Sequence, residues 1–451
     1  MIQPSDLTAL RAKLATASPE SAWKAVRRLA LGSRDAGALD LAADYAEVAK
    51  PGTDKLLKLW PDALDPDGFA QRMLAPAFAA EGRTELTLRR QSALTAGLRH
   101  LTMLDTLVLD HCKSLSDLSE LSGLAGLRVL ELDGCAAVSD LEPLAALTGL
   151  TALLLPNCRQ VSDVTPLFAL RGLRRLDLRG TAVASVEGFG QAWPGLEELD
   201  LDGCRLVEDV RGLSGLRSLR KLDLSRTKIT TLEGLRDLSS VTELTLHCAR
   251  LKSLDGIAAM PALETLWTAG CTNVRSLDGF GHHPRLTSLG LPESKLPDLR
   301  PLSRLPALTS VVIGRHQRLT SLDGLEGHPS LEEVELVYAE DLTDFSALAR
   351  MPALRVLTLQ GLDQLADLTP FSGLLHLEEL HLACMDDLRT LGDLDRLPAL
   401  RKLELYDCPK LDDLGGLLAL PSLKEVCVND CPALPANLIA DLKARSLFTQ
   451  W

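Results

Sequence analysis

Residues 127–149 read LRVLELDGCAAVSDLEPLAALTG, and the pattern of this stretch indicates the fold. Its first part, L-x-x-L-x-L at Leu127, Leu130 and Leu132, alternates apolar and polar residues as a short β-strand with one buried face does. The D-L-x-x-L string that follows places Asp140 where its carboxylate can cap a helical turn. One unit of 23 residues therefore predicts one strand followed by one helical turn.

The unit recurs along the chain. Its first position is filled 15 times, separated by eleven steps of 23 residues and three of 22, at Leu104, Leu127, Leu150, Leu173, Leu196, Leu219, Val241, Leu263, Leu286, Leu308, Leu331, Leu354, Leu377, Leu400 and Leu423. A degenerate unit around Leu86 and Leu88 precedes them. Asp residues equivalent to Asp140 predict the same cap at Asp117, Asp163, Asp344 and Asp367.

This pattern resembles the leucine-rich repeat family, and the 22–23-residue unit is similar to its SDS22-like and internalin-like bacterial classes. The resemblance covers roughly residues 84–431. The family usually has Asn at position nine of the unit, whereas this chain has Cys there in seven units. The resemblance implies a binding protein.

Repeat physics predicts the same fold class. A single unit cannot bury its leucine face, so neighbouring units stack and their strands form a parallel sheet along one side of an α/β solenoid. We expect a horseshoe or an arc with a concave strand face over residues 84–431. Residues 1–83 lack the repeat and predict short helices, either a cap on the first unit or an adaptor domain. Residues 432–451 predict a closing cap helix, with Trp451 packed behind it.

Composition limits the function classes. Apolar residues make up 46% of the chain but aromatic residues only 4%, so leucine must fill the core. No apolar run is long enough for a membrane span. The net charge of −13 disfavours binding to nucleic acid or to anionic lipid. Ten cysteines without a recognisable export signal favour free thiols and a cytoplasmic protein. The resemblance to bacterial repeat classes implies a bacterial one.

The chemistry-bearing residues predict no active site. The seven cysteines at position nine line up inside the solenoid, where a thiol fills space and donates weakly to backbone carbonyls. His282 and His283 precede a proline, and we expect both to be solvated loop histidines. Phosphate-binding, zinc-protease and nucleophile-elbow motifs do not occur. The sequence therefore predicts a protein without catalytic residues, metal or cofactor, and not an enzyme.

The outward strand positions carry patterned charge. Charged pairs at positions two and three alternate in sign between units, and we expect them to neutralise one another as a solvated ladder, for example Glu378 and Glu379 beside Arg401 and Lys402. Position five instead stacks like charges, which destabilises neighbouring strands. These acids are Asp177, Asp200 and Asp223, with Glu335 and Glu404 further along. They predict either an acidic strip that meets a basic partner or a merely solvated one.

Three of the eight Trp and Tyr residues fall at outward strand sites: Trp267 at position five, Tyr338 at position eight and Tyr406 at position seven. His247 and His381 occupy neighbouring outward sites. Exposed Trp and Tyr are typical interface anchors. The alternative for Trp267 is packing over Gly290 in the next strand, which leaves a gap beside it.

Together these features favour a non-catalytic module that binds a protein on its concave face, and the acidic strip would suit a partner with a basic surface. The alternative is a sensor or regulatory subunit of a multi-protein signalling or defence complex, with the N-terminal helices docking an effector enzyme. A third hypothesis is a structural scaffold without a specific site.

Overall fold

The structure of the protein is a computed structural model, and it describes residues 4–277, 280–293, 295–315, 319–371, 373–392 and 397–449. The chain divides into two compact units, which are considered separately. Unit 1 comprises residues 1–184 and 188–204, and unit 2 comprises residues 185–187 and 205–451. Trp451, which we predicted to pack behind the closing helix, lies outside the described residues.

Unit 1 begins with a helical region. Its helices are α1 (Pro4–Lys13), α2 (Pro19–Gly32), α3 (Ala36–Ala49), α4 (Thr53–Leu59), α5 (Pro66–Phe69) and α6 (Ala75–Glu81), with a π-helical turn over Ala70–Leu74. Side-chain caps explain three of the starts, because Ser18, Asp35 and Asp65 each accept a hydrogen bond from a backbone N–H three residues later. Helices were expected in this region, and they are present.

The rest of unit 1 is a parallel sheet. Its strands are β1 (Glu85–Arg89), β2 (Thr106–Asp110), β3 (Val129–Glu131), β4 (Ala152–Leu154), β5 (Arg175–Asp177) and β6 (Glu198–Asp200), with a short helix α7 (Phe189–Ala192) before β6. Each strand pairs in parallel with the next, and Leu86, Leu107, Leu130, Leu153, Leu176 and Leu199 align in one row. The degenerate repeat predicted at Leu86 is therefore a genuine first strand.

Unit 2 continues the same pattern. Its strands are β7 (Lys221–Asp223), β8 (Glu243–Thr245), β9 (Thr265–Trp267), β10 (Ser288–Leu291), β11 (Ser310–Gly314), β12 (Glu333–Val337), β13 (Val356–Gln360), β14 (Glu379–Ala383), β15 (Lys402–Tyr406), β16 (Glu425–Asn429) and β17 (Phe448–Thr449). All pair in parallel with their neighbours. Helix α8 (Ala436–Ala444) precedes β17. It is shorter than predicted, because Ser446 takes a left-handed conformation (φ 57°) and the chain then continues as strand β17 from Phe448.

Leucine fills the core, as the composition predicted. The leucines at positions one, four and six are almost completely buried in unit after unit, for example Leu127, Leu130 and Leu132. Short 3₁₀ turns follow the strands in many repeats, as in Glu142–Ala146 and Thr165–Ala169. The α/β solenoid with a parallel sheet and an N-terminal helical region is thus confirmed. No helix in the described part of the chain has the length and apolar character that crossing a membrane requires.

Candidate protein-interaction surface

Strand alternation creates one outward face on the sheet of unit 2. In β12 to β15 the even positions of the repeat are buried and the odd positions are at least partly exposed. We call the side chains at positions three, five, seven and eight on β7 to β16, together with His247 just after β8, the strand face of unit 2. It contains eight of the ten predicted site residues; Asp177 and Asp200 belong to unit 1.

Trp267 lies flat on the neighbouring strand. Gly290 is its partner in the β9–β10 pair, and a Cβ atom at Gly290 would lie 2.1 Å from the indole Cε3. The packing that we considered as the alternative is therefore present. The ring nevertheless keeps 37% of its surface exposed. One face of the indole is supported by glycine backbone, and the side chain still presents a large apolar area to solvent.

The other two aromatic residues are placed differently. The ring of Tyr338 covers Gly361 of the next repeat, and the Arg315 guanidinium carbon lies 5.0 Å from the ring centroid, a cation–π distance. Tyr338 is half-buried, and Gln360 Nε2 donates to its hydroxyl at 3.4 Å. Tyr406 makes no such contact and is 50% exposed. The sequence did not predict the role of Arg315, which precedes Tyr338 by one repeat.

The two histidines of the strand face have different environments. His247 is exposed and its ring covers Gly270. His381 Nδ1 lies 2.5 Å from Glu404 Oε2, and Lys402 Nζ contacts the other carboxylate oxygen at 2.7 Å. Burial acts to raise the pKa of Glu404, but the hydrogen bonds from Lys402 and His381 outweigh it and hold the pKa below its usual range. Glu404 is therefore a paired carboxylate.

Glu335 is in the opposite situation. It is half-buried and forms no hydrogen bond or ion pair within the described residues. Burial, together with the charge of Glu333, raises the pKa of Glu335 above its usual range. Among the described residues, no cation therefore contacts the Glu335 carboxylate.

The position-five aspartates depart from the prediction of an open acidic strip. Asp177 is only 3% exposed, because Arg179 folds over it and contacts it through Nε and through Nη2 at 2.8 Å. Arg179 also reaches Asp200 Oδ2 at 3.4 Å. In unit 2, Asp223 accepts a hydrogen bond from the Ser225 backbone N–H, as Asp177 and Asp200 do from the residues two positions later. These bonds explain why stacked aspartates are tolerated.

The predicted charge ladder is confirmed within each unit. Arg174 pairs with Glu197, and other contacts are Arg175 Nε to Glu198 Oε2 at 3.3 Å, Lys221 Nζ to Glu243 Oε2 at 2.9 Å and Arg401 Nη1 to Glu378 Oε2 at 3.1 Å. These pairs lie on the surface, where each contributes little to stability. The ladder leaves the strand face without a strong net charge at positions two and three.

Cysteines and one histidine have structural roles inside the repeats. All ten cysteines are free thiols, and Cys158 Sγ and Cys204 Sγ donate to the carbonyls of Leu132 and Leu178 at 3.0 and 3.1 Å. Burial raises the pKa of Cys158 to about 12, so it stays protonated at neutral pH. The prediction for His283 is wrong: it is fully buried, and its Nε2 lies 2.8 Å from the Phe280 carbonyl. It occupies a turn position that Leu fills in other repeats, such as Leu147.

Comparisons with known proteins find a matching repeat family and similar folds. A family model described as leucine-rich repeats (2 copies) matches residues 194–237. A leucine-rich-repeat protein of Leptospira interrogans is similar in structure, with 18% identity, a TM-score of 0.54, and coverage of 78% of this chain and 97% of that one. The mouse RP105/MD-1 complex gives 18% identity, a TM-score of 0.58, and coverage of 80% and 69%.

An internalin of Listeria monocytogenes is also similar, with 20% identity, a TM-score of 0.49, and coverage of 83% of this chain and 93% of that one. No curated protein matches the chain significantly. At these identities the likeness concerns the fold.

Proposed function

We propose that this chain, which is a leucine-rich-repeat protein, is a non-catalytic module that binds a protein partner on its strand face, which the repeat predicts to be concave. The observation that carries the proposal is Trp267, whose indole rests on Gly290 and remains 37% exposed. A Trp ring held by backbone loses little conformational freedom on binding, and such rings are frequent hot spots of interfaces.

The surroundings of Trp267 suit an interface. Positions three and five of β9, β10 and β11 hold no charged residue: they are Thr265, Trp267, Ser288, Gly290, Ser310 and Val312. Covering uncharged side chains costs less desolvation free energy than covering ions. Trp267, Tyr338 and Tyr406 lie on or directly after strands that are three apart, which corresponds to about 14 Å between the successive strands that carry them.

Charge favours a basic partner. Glu335 is half-buried and without a contacting cation in the described part of the chain, so a partner Arg or Lys would supply a missing counter-charge. Glu404 and His381 already pair with each other, and Asp177 lies under Arg179. We therefore rank Trp267, Tyr406 and Glu335 as the principal contacts. His247, Tyr338 and Asp223 come second.

The similar fold of the mouse RP105/MD-1 complex, a structure with a bound partner, supports an interaction role. The absence of catalytic residues, metal and cofactor, and the cytoplasmic location, remain predictions from the sequence. So does the exclusion of nucleic acid and membranes, which rests on the net charge of −13. A mobility-shift assay with single-stranded RNA, in which we expect no complex at physiological salt, checks the nucleic-acid part.

The test compares three variants in quantitative affinity purification from the native host. We expect Trp267→Ala to lose a specific protein, and Gly290→Ala to lose the same protein because its Cβ displaces the indole. Leu375→Ala is the matched control, since Leu375 is 57% exposed but lies in the turn before β14. With the purified partner, Trp267→Ala should weaken the Kd by roughly 30-fold or more.

Two results would refute the proposal. One is a set of bound proteins that none of the strand-face variants changes. The other is an equal loss for Leu375→Ala, which would mean that any exposed apolar side chain supports the capture.

A separate observation favours the sensor or regulatory hypothesis. Leu31 and Leu64 are exposed apolar side chains in the helical region of unit 1, and their segments are joined by a hydrogen bond from Leu64 N–H to the Ala30 carbonyl at 3.0 Å. A helical region that served only as a cap would have no need of this outward apolar patch. Deletion of residues 1–83, compared with Leu31→Asp/Leu64→Asp in the undeleted chain, separates the two functions.

A further inference from the structure

A cavity of about 410 Å³ lies at the carboxyl ends of β1 and β2 in unit 1. Its walls are formed by Arg90, Gln91, Ser92, His111, Lys113 and Ser114. None of these residues belongs to the strand face of unit 2. They lie in the degenerate first repeat and in the turn of the second, where the repeat pattern indicates no site.

Backbone geometry forms the cavity. Arg90 and His111 both have left-handed backbone (φ 54°), so the chain turns sharply as each strand ends. Arg90 N–H donates to the Asp110 carbonyl at 2.9 Å, and His111 N–H donates to the Asp133 carbonyl at 2.7 Å, which fixes both turns. The Gln91 N–H donates to the buried Cys112 Sγ at 3.3 Å. The two turns therefore lie side by side on a rigid base.

The lining offers donors that the protein does not use. Within the described part of the chain, the side chains of Arg90, Ser92, Lys113 and Ser114 form no hydrogen bond or ion pair. A neighbouring carboxylate already has partners, because Asp110 pairs with His111 and lies 3.3 Å from Arg89 Nε. The hydrogen bond with His111, aided by the charges of Arg89 and Arg90, lowers the pKa of Asp110. Two cations and two hydroxyls thus line one cavity in a chain of net charge −13.

We infer that this cavity binds a small molecule through a phosphate group. A phosphate dianion accepts several hydrogen bonds at once, which matches a planar guanidinium, a lysine ammonium and serine hydroxyls lining the same cavity. The cavity of about 410 Å³ is open to solvent, since five of its six lining residues are exposed, and its polar lining suits a charged ligand group. A long polyanion would also meet Asp110 and Asp133 beside His111, whose ligand atoms lie within 4.8 Å of one another, and this favours a small ester.

Isothermal titration calorimetry with pyrophosphate and with glycerol 3-phosphate at low ionic strength tests the inference. We expect saturable binding with one site per chain. Arg90→Gln and Lys113→Gln should each weaken binding about tenfold or more, because each removes a charge-assisted hydrogen bond. Arg159→Gln is the matched control: Arg159 is exposed and holds the same repeat position as Lys113, outside the cavity. Glycerol itself should not bind.

The inference is overturned if neither phosphate compound gives saturable binding, if more than one equivalent binds, or if Arg159→Gln weakens binding as much as Lys113→Gln. Binding only of a phosphoserine peptide, with no binding of either small probe, would also overturn it. Ser92→Asp, which places a carboxylate in the cavity without altering Arg90, should abolish binding in a chain with unchanged thermal unfolding. The site is independent of the proposed function, so Trp267→Ala should leave pyrophosphate binding intact.

Discussion

Position eight of the repeat has left-handed backbone in most units, whichever residue occupies it. Its φ is 62° at Asn157, 74° at Gly203, 50° at Tyr338 and 62° at Gly361. A hydrogen bond accounts for this conformation: Asn157 N–H donates to the Arg179 carbonyl and Tyr338 N–H to the Gln360 carbonyl, each in the following repeat. Gly and Asn adopt this conformation readily, whereas a bulky residue is strained. Tyr338 therefore carries local strain on the proposed binding face.

Two glycines at this position separate backbone strain from ring packing. Gly203→Ala should lower the free energy of unfolding by about 1 kcal/mol, because the new Cβ has room but the backbone is left-handed. Gly361→Ala should lower the free energy of unfolding by roughly 1 kcal/mol more than Gly203→Ala does, since its Cβ would lie 2.2 Å from Tyr338 Cδ1. Urea denaturation of both variants measures the difference.

The double variant Tyr338→Ala/Gly361→Ala is the control for this interpretation. Against Tyr338→Ala alone, the glycine substitution should cost only what Gly203→Ala costs. Equal costs for Gly361→Ala and Gly203→Ala in the wild-type background would mean that the Tyr338 ring moves aside freely and is not held in place.

Sequence reasoning predicted outward side chains well and their contacts poorly. Trp267 could be placed from the two-residue period of a strand, and its packing on Gly290 from the 23-residue step. The burial of Asp177 could not be predicted from the sequence, because it depends on how the Arg179 side chain folds back from a turn. His283 was misplaced since the turn positions have no simple period. The left-handed position eight is Gly, Asn or Asp in many units, but Tyr, Arg and His also occupy it, so no single residue type marks it in the sequence.

At the level of the element, several strands are followed by a turn that an aspartate caps, whereas Ser or Thr takes the same role in other repeats. Asp117, Asp140, Asp163, Asp344 and Asp367 were predicted as caps, and each accepts a hydrogen bond through Oδ1 from the backbone N–H two residues later. Four of the caps directly precede 3₁₀ turns. This prediction succeeded because capping depends on local sequence alone.

These caps predict an acid-sensitive fold. Hydrogen bonds from Ser119 lower the pKa of Asp117, and hydrogen bonds from Thr165 lower that of Asp163. A carboxyl group whose pKa is lower in the folded state stabilises the protein above its unfolded pKa of about 4 and loses that contribution as the pH falls. In Asp117→Asn/Asp163→Asn the amide oxygens still accept the bonds but bind no proton. The midpoint of urea unfolding should therefore fall less between pH 5 and pH 3 than in the wild type.

Asp44→Asn/Asp62→Asn provides the comparison, because both residues are exposed in the helical region and cap no turn of a repeat. That variant should follow the wild-type pH dependence. If both double variants flatten the curve equally, then general charge repulsion, and not the caps, controls acid unfolding.

At the scale of the whole molecule, leucine and the aromatic residues fill different parts of the core. Stacked repeats need one slim filler at each inward position, and leucine supplies it. Where the repeat is irregular, larger side chains close the gap: Phe168, Phe189 and Trp193 pack edge to face in unit 1, and Trp193 Nε1 donates to the Leu167 carbonyl at 3.2 Å. The helical region has a separate core built on Tyr45, Trp60, Phe69 and Phe78.

That helical core is joined to the first repeat. Trp60 Nε1 donates to the Ala96 carbonyl at 3.1 Å, and Asp67 contacts Arg99 Nη2 at 2.6 Å and His100 Nε2 at 3.0 Å. Gly97 fits closely against Ala70 and Asp67, where a Cβ would lie 2.8 Å from each. These contacts support the prediction that residues 1–83 cap the solenoid, whatever else they bind.

Deletion of residues 1–83 therefore has an expected outcome. Among the described strands β1 pairs only with β2, so the deletion would expose its other edge together with Leu98, which is now buried. Exposed edge strands aggregate, and we expect the truncated chain to lose solubility, measured by light scattering and gel filtration. In the full-length chain, Leu31→Asp/Leu64→Asp should leave solubility unchanged, because that apolar patch lies outside the cap contacts. A truncated chain that stays monomeric would contradict the cap, and partner proteins lost with the Leu31/Leu64 variant would identify the helices as a second docking module.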